Sequence, residues 1–258
     1  MKVSEKVYFI ENHNLLFDDP KRIAEIIENI RKGHVYIAKN IYPKDLIYEI
    51  RDYLTRIGKN SLPNYYPIHE GCHNFHRINQ DDSRSYVKAC FHQFVFFPWN
   101  QDMFNFFKLF EPVYRIKNLL SGLPEKSFLG ISPENKCTAR LAFQFYPSGE
   151  GFMNKHSDPV DYHQLTVPLM VMSTKGKDFQ EGGLFIEPQD AEKILIDDFC
   201  DIGDVVYMNA QMPHGVSPID PKDPCDWMSF KGRWMLLFAI NKLSENEQIE
   251  NSKDLGKT

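Results

Sequence analysis

The chain has 258 residues, which is enough for one large domain or two small ones with a sizeable core. Apolar residues make up 42% of it and charged residues 25%, an ordinary globular composition that excludes a disordered or fibrous protein. The formal net charge of -5 provides no general basic surface, so we expect no nucleic-acid partner.

The cysteines and the apolar segments indicate the compartment. The five cysteines are odd in number and widely spaced, without a CxxC pair, which argues against a disulfide framework or a zinc ribbon. The N-terminus lacks the apolar run of a signal peptide, and no uncharged apolar stretch is long enough to span a bilayer. We therefore expect reduced thiols in a soluble, cytoplasmic protein without a membrane partner.

Two helices and a strand are predicted before residue 60. Residues 18–33 predict a helix, because an aspartate cap and Pro20 precede a stripe of isoleucines and Gly33 follows it. Residues 34–41 predict a short strand, and the apolar spacing within 42–58 predicts a second helix.

The next stretch is less regular. Residues 59–100 mix aromatic, histidine and turn residues without a sustained period until 87–97, which predict a strand. Residues 102–123 predict a helix that bends near Pro112. We expect the irregular part to cover the mouth of a barrel as a lid, with the following histidine and arginine side chains available: His69, His73, His76, Arg77 and Arg84.

From residue 137 onward, short β-like runs alternate with turns. They cover residues 137–146, 164–173, 182–187, 204–209, 214–219 and 233–241. Strands at this spacing predict a sandwich or barrel. We therefore predict one α+β domain, mainly β, over residues 1–258. A helical and lid-like part (1–136) packs on a β core (137–243), and a polar tail (244–258) without apolar anchors is loosely ordered.

A histidine and an aspartate occur one residue apart in "YPSGEGFMNKHSDP". In an extended chain, residues i and i+2 project to the same face, so His156 and Asp158 present an imidazole and a carboxylate side by side. Pro159 favours extended geometry at Asp158, the residue before it. The alternative is a polar strand edge that faces water.

A second histidine stands far along the chain in "GDVVYMNAQMPHGVSPI". His214 begins a β-like run, with Pro213 and Gly215 constraining the backbone around it. Two histidines and one carboxylate match the facial triad of non-haem Fe(II) oxygenases, which leaves positions open for a cosubstrate and O₂. Zinc hydrolase sites use the same donors, so the triad by itself does not name the metal. For His214 the alternative is a core histidine bonded to a carbonyl.

An arginine begins the strand-like run "GRWMLLFAIN". Arg233 shares a face with Met235, Leu237 and Ala239, so its guanidinium points toward an apolar interior and needs an anionic partner. The 5-carboxylate of 2-oxoglutarate suits the planar fork of arginine. The alternatives are an internal salt bridge to an Asp or Glu, and an arginine that faces solvent.

Taken in order, these motifs resemble the Fe(II)- and 2-oxoglutarate-dependent oxygenases of the double-stranded β-helix fold, a jelly-roll or cupin-like barrel, particularly the prolyl-hydroxylase type. The resemblance rests on the segments quoted above together with "LTVPLMVMS" and "EGGLFIEP", and it covers residues 138–241. It implies Fe(II) ligation by His156, Asp158 and His214. It also implies 2-oxoglutarate and O₂ at the open positions, and a salt bridge from Arg233 to the cosubstrate.

The resemblance suggests further cosubstrate contacts. Tyr146 matches a tyrosine of the family that lies in the active site, although a barrel aromatic is the alternative. Many members supply a second donor to the 5-carboxylate, from positions that here hold Met235 and Met170. Thr166 is a candidate substitute for that donor, with a structural threonine as the alternative.

The strand before the HxD motif offers substrate contacts. Arg140, Gln144 and Tyr146 alternate onto one face, which we assign to the barrel interior. Arg140 is a candidate for binding a substrate carboxylate, and Gln144 lies beside it on that face. A pair between Arg140 and an acid at the barrel rim is the alternative.

The resemblance implies a dioxygenase that hydroxylates a small molecule, such as an amino acid or a natural-product intermediate, with release of succinate and CO₂ and with ascorbate in the assay. One alternative is a protein or peptidyl hydroxylase of the same superfamily. Another is a cupin-like metal-binding protein without O₂ chemistry. A nucleic-acid demethylase is disfavoured, because the second arginine usual in those enzymes is replaced by Ala239. The pattern indicates no oligomeric state.

Overall fold

The computed structural model describes residues 6–60, 67–69, 72–73, 75–83, 85–159, 164–188, 192–243 and 250–256. Within these residues the α-helices are α1 (Pro20–Arg31), α2 (Lys44–Asn60), α3 (Phe106–Leu109) and α4 (Glu111–Leu120). Two 3-10 helices cover His13–Asp18 and Ile196–Phe199.

The strands follow in chain order and concentrate in the second half of the protein. They are β1 (Val7–Ile10), β2 (Val35–Ala38), β3 (Pro67–His69), β4 (Cys72–His73), β5 (His76–Ile78), β6 (Ala89–Phe96), β7 (Cys137–Pro147), β8 (Phe152–Ser157), β9 (Leu169–Val171), β10 (Gly183–Ile186), β11 (Ile194–Leu195), β12 (Val205–Tyr207), β13 (His214–Ser217), β14 (Gly232–Lys242) and β15 (Lys253–Asp254).

Helices α1 and α2 form where the sequence predicts them. The Asp19 carboxylate accepts a hydrogen bond from the Arg22 backbone N–H at 2.9 Å, and Pro20 occupies the first turn of α1. The buried side of each helix carries apolar residues at three- and four-residue spacing: Ile23, Ile26 and Ile30 in α1, and Ile47, Ile50 and Leu54 in α2. Both stripes belong to the largest apolar cluster among the described residues, which they share with the outward side chains of the sheet.

The predicted helix over residues 102–123 is divided into two. Helix α3 ends at Leu109 and α4 begins at Glu111, with Pro112 in the first turn of α4. Proline is tolerated there because a backbone N–H in the first turn has no partner within the helix. The break therefore lies just before the proline, close to the predicted bend.

A curled, mixed sheet of 13 described strands forms the body of the protein. Its order is β1-β2-β12-β9-β14-β7-β6-β8-β13-β10-β11, with β5 paired to β6 and β15 paired to β8. Strand β6 joins the two halves, because its first residues pair with β8 and the rest pair with β7. The sheet and the helices packed on it confirm the predicted mainly-β architecture.

Strands β7 and β14 pair over their full length, with the apolar core on one face of the pair and an interior cavity on the other. In β14, Trp234 and Leu236 join the core beneath the helices, whereas Met235 and Leu237 face an interior cavity. Because side chains alternate across a strand, Arg233 falls on the interior side, as predicted.

Residues 1–136 contribute more to the sheet than the sequence predicts. Strand β1, which the pattern does not indicate, pairs in parallel with β2, and β2 and β6 both lie within the main sheet. The strands at β2 and β6 are predicted, whereas β1 is missed, because a short buried strand carries little periodicity of its own.

The prediction of a loosely ordered tail is wrong for residues 250–256. Strand β15 pairs antiparallel with β8, opposite the residues that carry the HxD motif. The tail lacks apolar anchors, as the sequence indicates. Hydrogen bonds of its backbone and of its polar side chains attach it to the sheet instead. Residues 244–249 lie outside the described part of the chain.

The remaining general predictions concern thiols and membranes. Cys90, Cys137, Cys200 and Cys225 are free thiols. In the described parts of the chain, no helix combines the length and the apolar character needed to cross a bilayer. Some predictions fall on side chains outside the described residues, namely those for Cys72, His69, His73, His76 and Arg84.

Candidate metal centre and adjoining cavity

Two antiparallel strands bring the predicted histidines together. His156 in β8 faces His214 in β13 in the strand register, and their ring centroids are 4.2 Å apart. The strands approach closely at Gly215, where a Cβ atom would lie 2.8 Å from the backbone oxygens of Asn154 and Met153. Glycine fits this approach without a backbone shift. Strand pairing therefore makes the two imidazoles neighbours in space although they are far apart in the sequence.

Asp158 completes the group directly after β8. Its Oδ1 lies 3.8 Å from His156 Nε2, and its Oδ2 lies 3.6 Å from His214 Nε2. Ligand atoms of all three side chains lie within 4.8 Å of one another. The structure thus brings the three residues of the predicted triad to one point.

A hydrogen bond to the backbone oxygen two residues earlier orients each imidazole. His156 Nδ1 lies 2.9 Å from the backbone oxygen of Asn154, and His214 Nδ1 lies 2.8 Å from that of Met212. A carbonyl only accepts hydrogen bonds, so each Nδ1 carries a proton and donates it. In the neutral imidazole, Nε2 then has a free lone pair. Both Nε2 atoms face Asp158, which is the arrangement of metal-binding histidines.

Charge and burial prepare the group for a cation. Burial, with a smaller contribution from His214, lowers the pKa of His156 to about 4. Burial alone would raise the pKa of Asp158, but contact with His214, His156 and the Ser252 hydroxyl holds it well below its usual range. Burial would lower the pKa of His214, yet the hydrogen bond and the charge of Asp158 raise it. A divalent cation would compete with protons for the Nε2 lone pairs, because only the deprotonated form of each ligand binds a metal.

The donor set fits a divalent transition metal. It offers two imidazole nitrogens and one carboxylate oxygen. The two histidines are buried, with 6% of each exposed. This is the composition of the facial triad that binds non-haem Fe(II), and zinc sites also use it. Three protein donors leave further coordination positions open for other ligands.

A cavity of about 530 Å³ adjoins the triad. His156, Asp158 and His214 lie in its wall. Strands β6, β7 and β14 supply further polar residues to the same wall: Gln93, Arg140, Gln144, Tyr146 and Asn241. The predicted substrate contacts Arg140 and Gln144 therefore both reach the cavity. Arg140 Nη1 donates to Asn241 Oδ1 at 3.3 Å across the neighbouring strand.

A chain of polar side chains crosses the interior beside the triad. The Tyr146 hydroxyl donates to Gln144 Oε1 at 2.7 Å, and Gln144 Nε2 donates to Gln93 Oε1, also at 2.7 Å. Tyr146 is fully buried, and burial raises the pKa of its hydroxyl. Tyr146 therefore lies at the cavity as predicted, and it reaches Gln144 as a neutral donor.

Arg233 forms the internal salt bridge that the sequence leaves as an alternative. Its Nε donates to Asp197 Oδ2 at 2.7 Å and its Nη2 to Asp197 Oδ1 at 3.1 Å, with both side chains 2% exposed. Its Nη1 has no hydrogen-bond partner among the described residues. Arg233 Cζ also lies 5.9 Å from the ring centroid of Tyr146, which lines the cavity.

Thr166 is not brought to the cavity. It is fully buried, and its hydroxyl oxygen accepts a hydrogen bond from the Met208 backbone N–H at 3.2 Å. This contact ties two chain segments together, which is the structural alternative for a strand threonine. Sequence reasoning also missed Asp197 and Ser252, because neither stands in a motif or at a periodic position.

Comparison with known proteins identifies the fold. No protein-family model and no curated protein sequence matches the chain. Among solved structures it is similar to a Pseudomonas putida prolyl-4-hydroxylase, with 13% identity, a TM-score of 0.54 and coverage of 85% of this chain and 98% of that one. It is also similar to a full-length Neurospora crassa protein crystallised in complex with alpha-KG, with 14% identity, a TM-score of 0.54 and coverage of 93% and 87%. This likeness confirms the double-stranded β-helix fold.

Proposed function

We propose that this protein is an Fe(II)- and 2-oxoglutarate-dependent dioxygenase that hydroxylates a C–H bond of a small molecule. The observation that carries the proposal is the convergence of His156, Asp158 and His214 within 4.8 Å at the wall of a cavity. When bound, iron and 2-oxoglutarate supply the activation of O₂, with succinate and CO₂ as the products of the cosubstrate.

The triad's own contribution is to bind and to orient. In each imidazole the hydrogen bond from Nδ1 to a backbone oxygen fixes the ring and therefore the direction of Nε2. The two side chains thus lose little conformational freedom when a cation binds. Asp158 contributes a single negative charge, which leaves a net positive charge on a divalent ion. An anionic cosubstrate is attracted to such a site.

Arg233 is the group proposed for the distal carboxylate of 2-oxoglutarate. Asp197 engages two of its nitrogens, but Nη1 is buried without a hydrogen-bond partner among the described residues. A buried N–H group of this kind is costly unless an acceptor satisfies it. Tyr146 lines the cavity and its ring centroid lies 5.9 Å from Arg233 Cζ, so the guanidinium lies close behind the cavity wall.

A small-molecule substrate is supported by the size and the lining of the cavity. A volume of about 530 Å³ lies within the range of roughly 300–1,000 Å³ that is common for small-ligand sites. Apolar side chains such as Leu169, Met235 and Leu237 line it together with Arg140 and Gln144. This combination suits an apolar body that carries an anionic or amide-like group.

Anaerobic titration tests the metal and the cosubstrate together. Fe(II) and then 2-oxoglutarate are added to the protein, and the visible charge-transfer band of the chelate is recorded. We expect the band in the wild type, no band in His214→Ala, and an unchanged band in His13→Ala. His13 is a matched control, since it is a buried histidine bonded to Tyr207 and lies outside the cavity wall. Absence of the band in the wild type contradicts the proposal.

A second candidate function is a cupin-like metal-binding protein without 2-oxoglutarate chemistry. The salt bridge to Asp197 favours it, because that carboxylate already neutralises the charge of Arg233. Succinate formation from 2-oxoglutarate with Fe(II) and ascorbate distinguishes the two functions. The metal-binding alternative predicts Fe(II) binding without a 2-oxoglutarate-dependent band and without succinate.

A further inference from the structure

The C-terminal segment 250–256 lies directly against the triad. In strand β15, Asp254 is the register partner of His156 and Lys253 is that of Ser157. The Leu255 backbone N–H donates to the Lys155 oxygen at 2.8 Å, which extends the pairing with β8. The segment therefore adds a strand to the edge that presents two of the three triad residues.

Asp254 anchors this segment on its other side. Its Oδ2 accepts a hydrogen bond from the Lys88 backbone N–H at 2.8 Å, and its Oδ1 accepts one from Gly256 N–H at 2.8 Å. Asn154 Nδ2 lies 3.5 Å from both of its oxygens. These contacts connect the tail to the strand that carries His156 and to the start of β6.

Ser252 is the residue of the segment that reaches the triad. Its hydroxyl donates a hydrogen bond to Asp158 Oδ1. Ser252, Glu250 and Asn251 also form part of the cavity wall. The tail thus supplies both a contact to a proposed metal ligand and a side of the adjoining cavity.

We propose that Ser252 is a positioning residue for the Asp158 carboxylate. This inference rests on the proposed metal site. The hydroxyl engages Oδ1, which also lies 3.8 Å from His156 Nε2, whereas Oδ2 lies 3.6 Å from His214 Nε2 and accepts no hydrogen bond from Ser252. A carboxylate that offers one oxygen occupies a single coordination position, so the hydrogen bond from Ser252 keeps the remaining positions open for other ligands. Partners of this kind orient metal ligands and tune the metal.

The contact between Ser252 and Asp158 should affect both the geometry of the metal site and the stability of the tail. Loss of the hydroxyl frees Oδ1, so the carboxylate can rotate and the metal site loses its preset geometry. Conversely, a metal that holds Asp158 in place strengthens the contact to Ser252 and so protects the tail. The two effects are reciprocal, because they express one coupling free energy.

Binding of Co(II) alone to the purified full chain tests the proposal. A competing chromophoric chelator measures the affinity, and the visible Co(II) spectrum reports the coordination number. We expect Ser252→Ala to bind Co(II) about tenfold more weakly, the lower end of the loss typical for such partners, and to show an altered spectrum. Ser252→Thr, which keeps a hydroxyl, should restore both.

The matched control is Ser217→Ala. Ser217 lies on the same strand as His214, but its hydroxyl bonds to Lys193 and does not line the cavity. Its substitution should leave Co(II) affinity and spectrum unchanged. If Ser252→Ala binds Co(II) as the wild type does, the positioning role is overturned while the proposed function stands. If the wild type binds no Co(II), the metal site itself fails, and the inference fails with it.

Hydrogen exchange provides a second readout, which follows the tail and not the metal. Addition of Co(II) to the wild type should slow amide exchange in residues 253–256, because the metal holds the carboxylate that Ser252 contacts. The protection should be smaller in Ser252→Ala. Equal protection in both proteins, or none in either, would overturn the coupling between the tail and the metal site.

Discussion

Replacement of Asp197 by asparagine isolates the charge of the buried ion pair. The side chain keeps its shape and an oxygen that can accept the Leu184 backbone N–H, now 2.6 Å from Asp197 Oδ2. It loses the negative charge that neutralises Arg233. Both members of the pair are 2% exposed, so water cannot compensate the guanidinium in the variant.

The expected loss of stability follows from this geometry. Removing one partner of a buried, doubly hydrogen-bonded pair costs about 3–5 kcal/mol, because an uncompensated charge stays in the interior. For a domain of this size, the corresponding fall in Tm is on the order of 10 °C. The double variant Asp197→Asn, Arg233→Gln should recover much of this loss, since neither charge remains buried.

Urea unfolding of the metal-free protein measures the effect. Asp223→Asn serves as the control, because its pair with Lys231 is 41% and 60% exposed and such pairs contribute less than about 1 kcal/mol. We also expect 2-oxoglutarate to stabilise Asp197→Asn, since it offers Arg233 a new carboxylate. A loss below about 1 kcal/mol for Asp197→Asn would refute the inference that this pair is desolvated.

Three further outcomes are expected. Gly183→Ala should cost about 1–3 kcal/mol in thermal unfolding, because φ is 114° there and a Cβ would lie 2.3 Å from Asp197 Oδ2. Tyr146→Phe should cost about 1–3 kcal/mol in urea, since it leaves Gln144 Oε1 without its donor, while Co(II) affinity stays unchanged. Burial lowers the pKa of His13 from 6.5 to about 4, so the unfolded chain binds this proton first as the pH falls. Stability should therefore decline between pH 6.5 and 4, and His13→Gln should lessen that decline by about 3 kcal/mol in urea titrations.

The triad and the barrel core could be predicted because their signals are local. His156 and Asp158 share a face through the two-residue period of an extended chain, and His214 begins a strand between a proline and a glycine. The same alternation in β14 predicts that Arg233 faces inward. Each of these inferences requires only the period of a strand and not the identity of the strand beside it.

The partners of these residues could not be predicted in the same way. Asp197 lies on a short 3-10 helix and meets Arg233 from another part of the chain, so no spacing relates the two. Ser252 belongs to a tail that is held by polar contacts, which produce no apolar pattern. Thr166 shows the opposite error, since a residue predicted to contact the cosubstrate lies away from the cavity wall and its hydroxyl oxygen accepts a backbone N–H.

The triad lies on regular strands, whereas part of the cavity wall is irregular, and this difference explains why the reaction class is easier to infer than the substrate. The triad stands on β8 and β13, which are paired to each other, and backbone oxygens orient both imidazoles. Other parts of the wall, residues 85–87 and 250–252, lie outside the strands. Irregular segments vary without disturbing a sheet, and binding specificity commonly resides in them. Under the proposed function, regular strands thus hold the metal with a motif, whereas residues 85–87 and 250–252 carry no motif from which a substrate could be inferred.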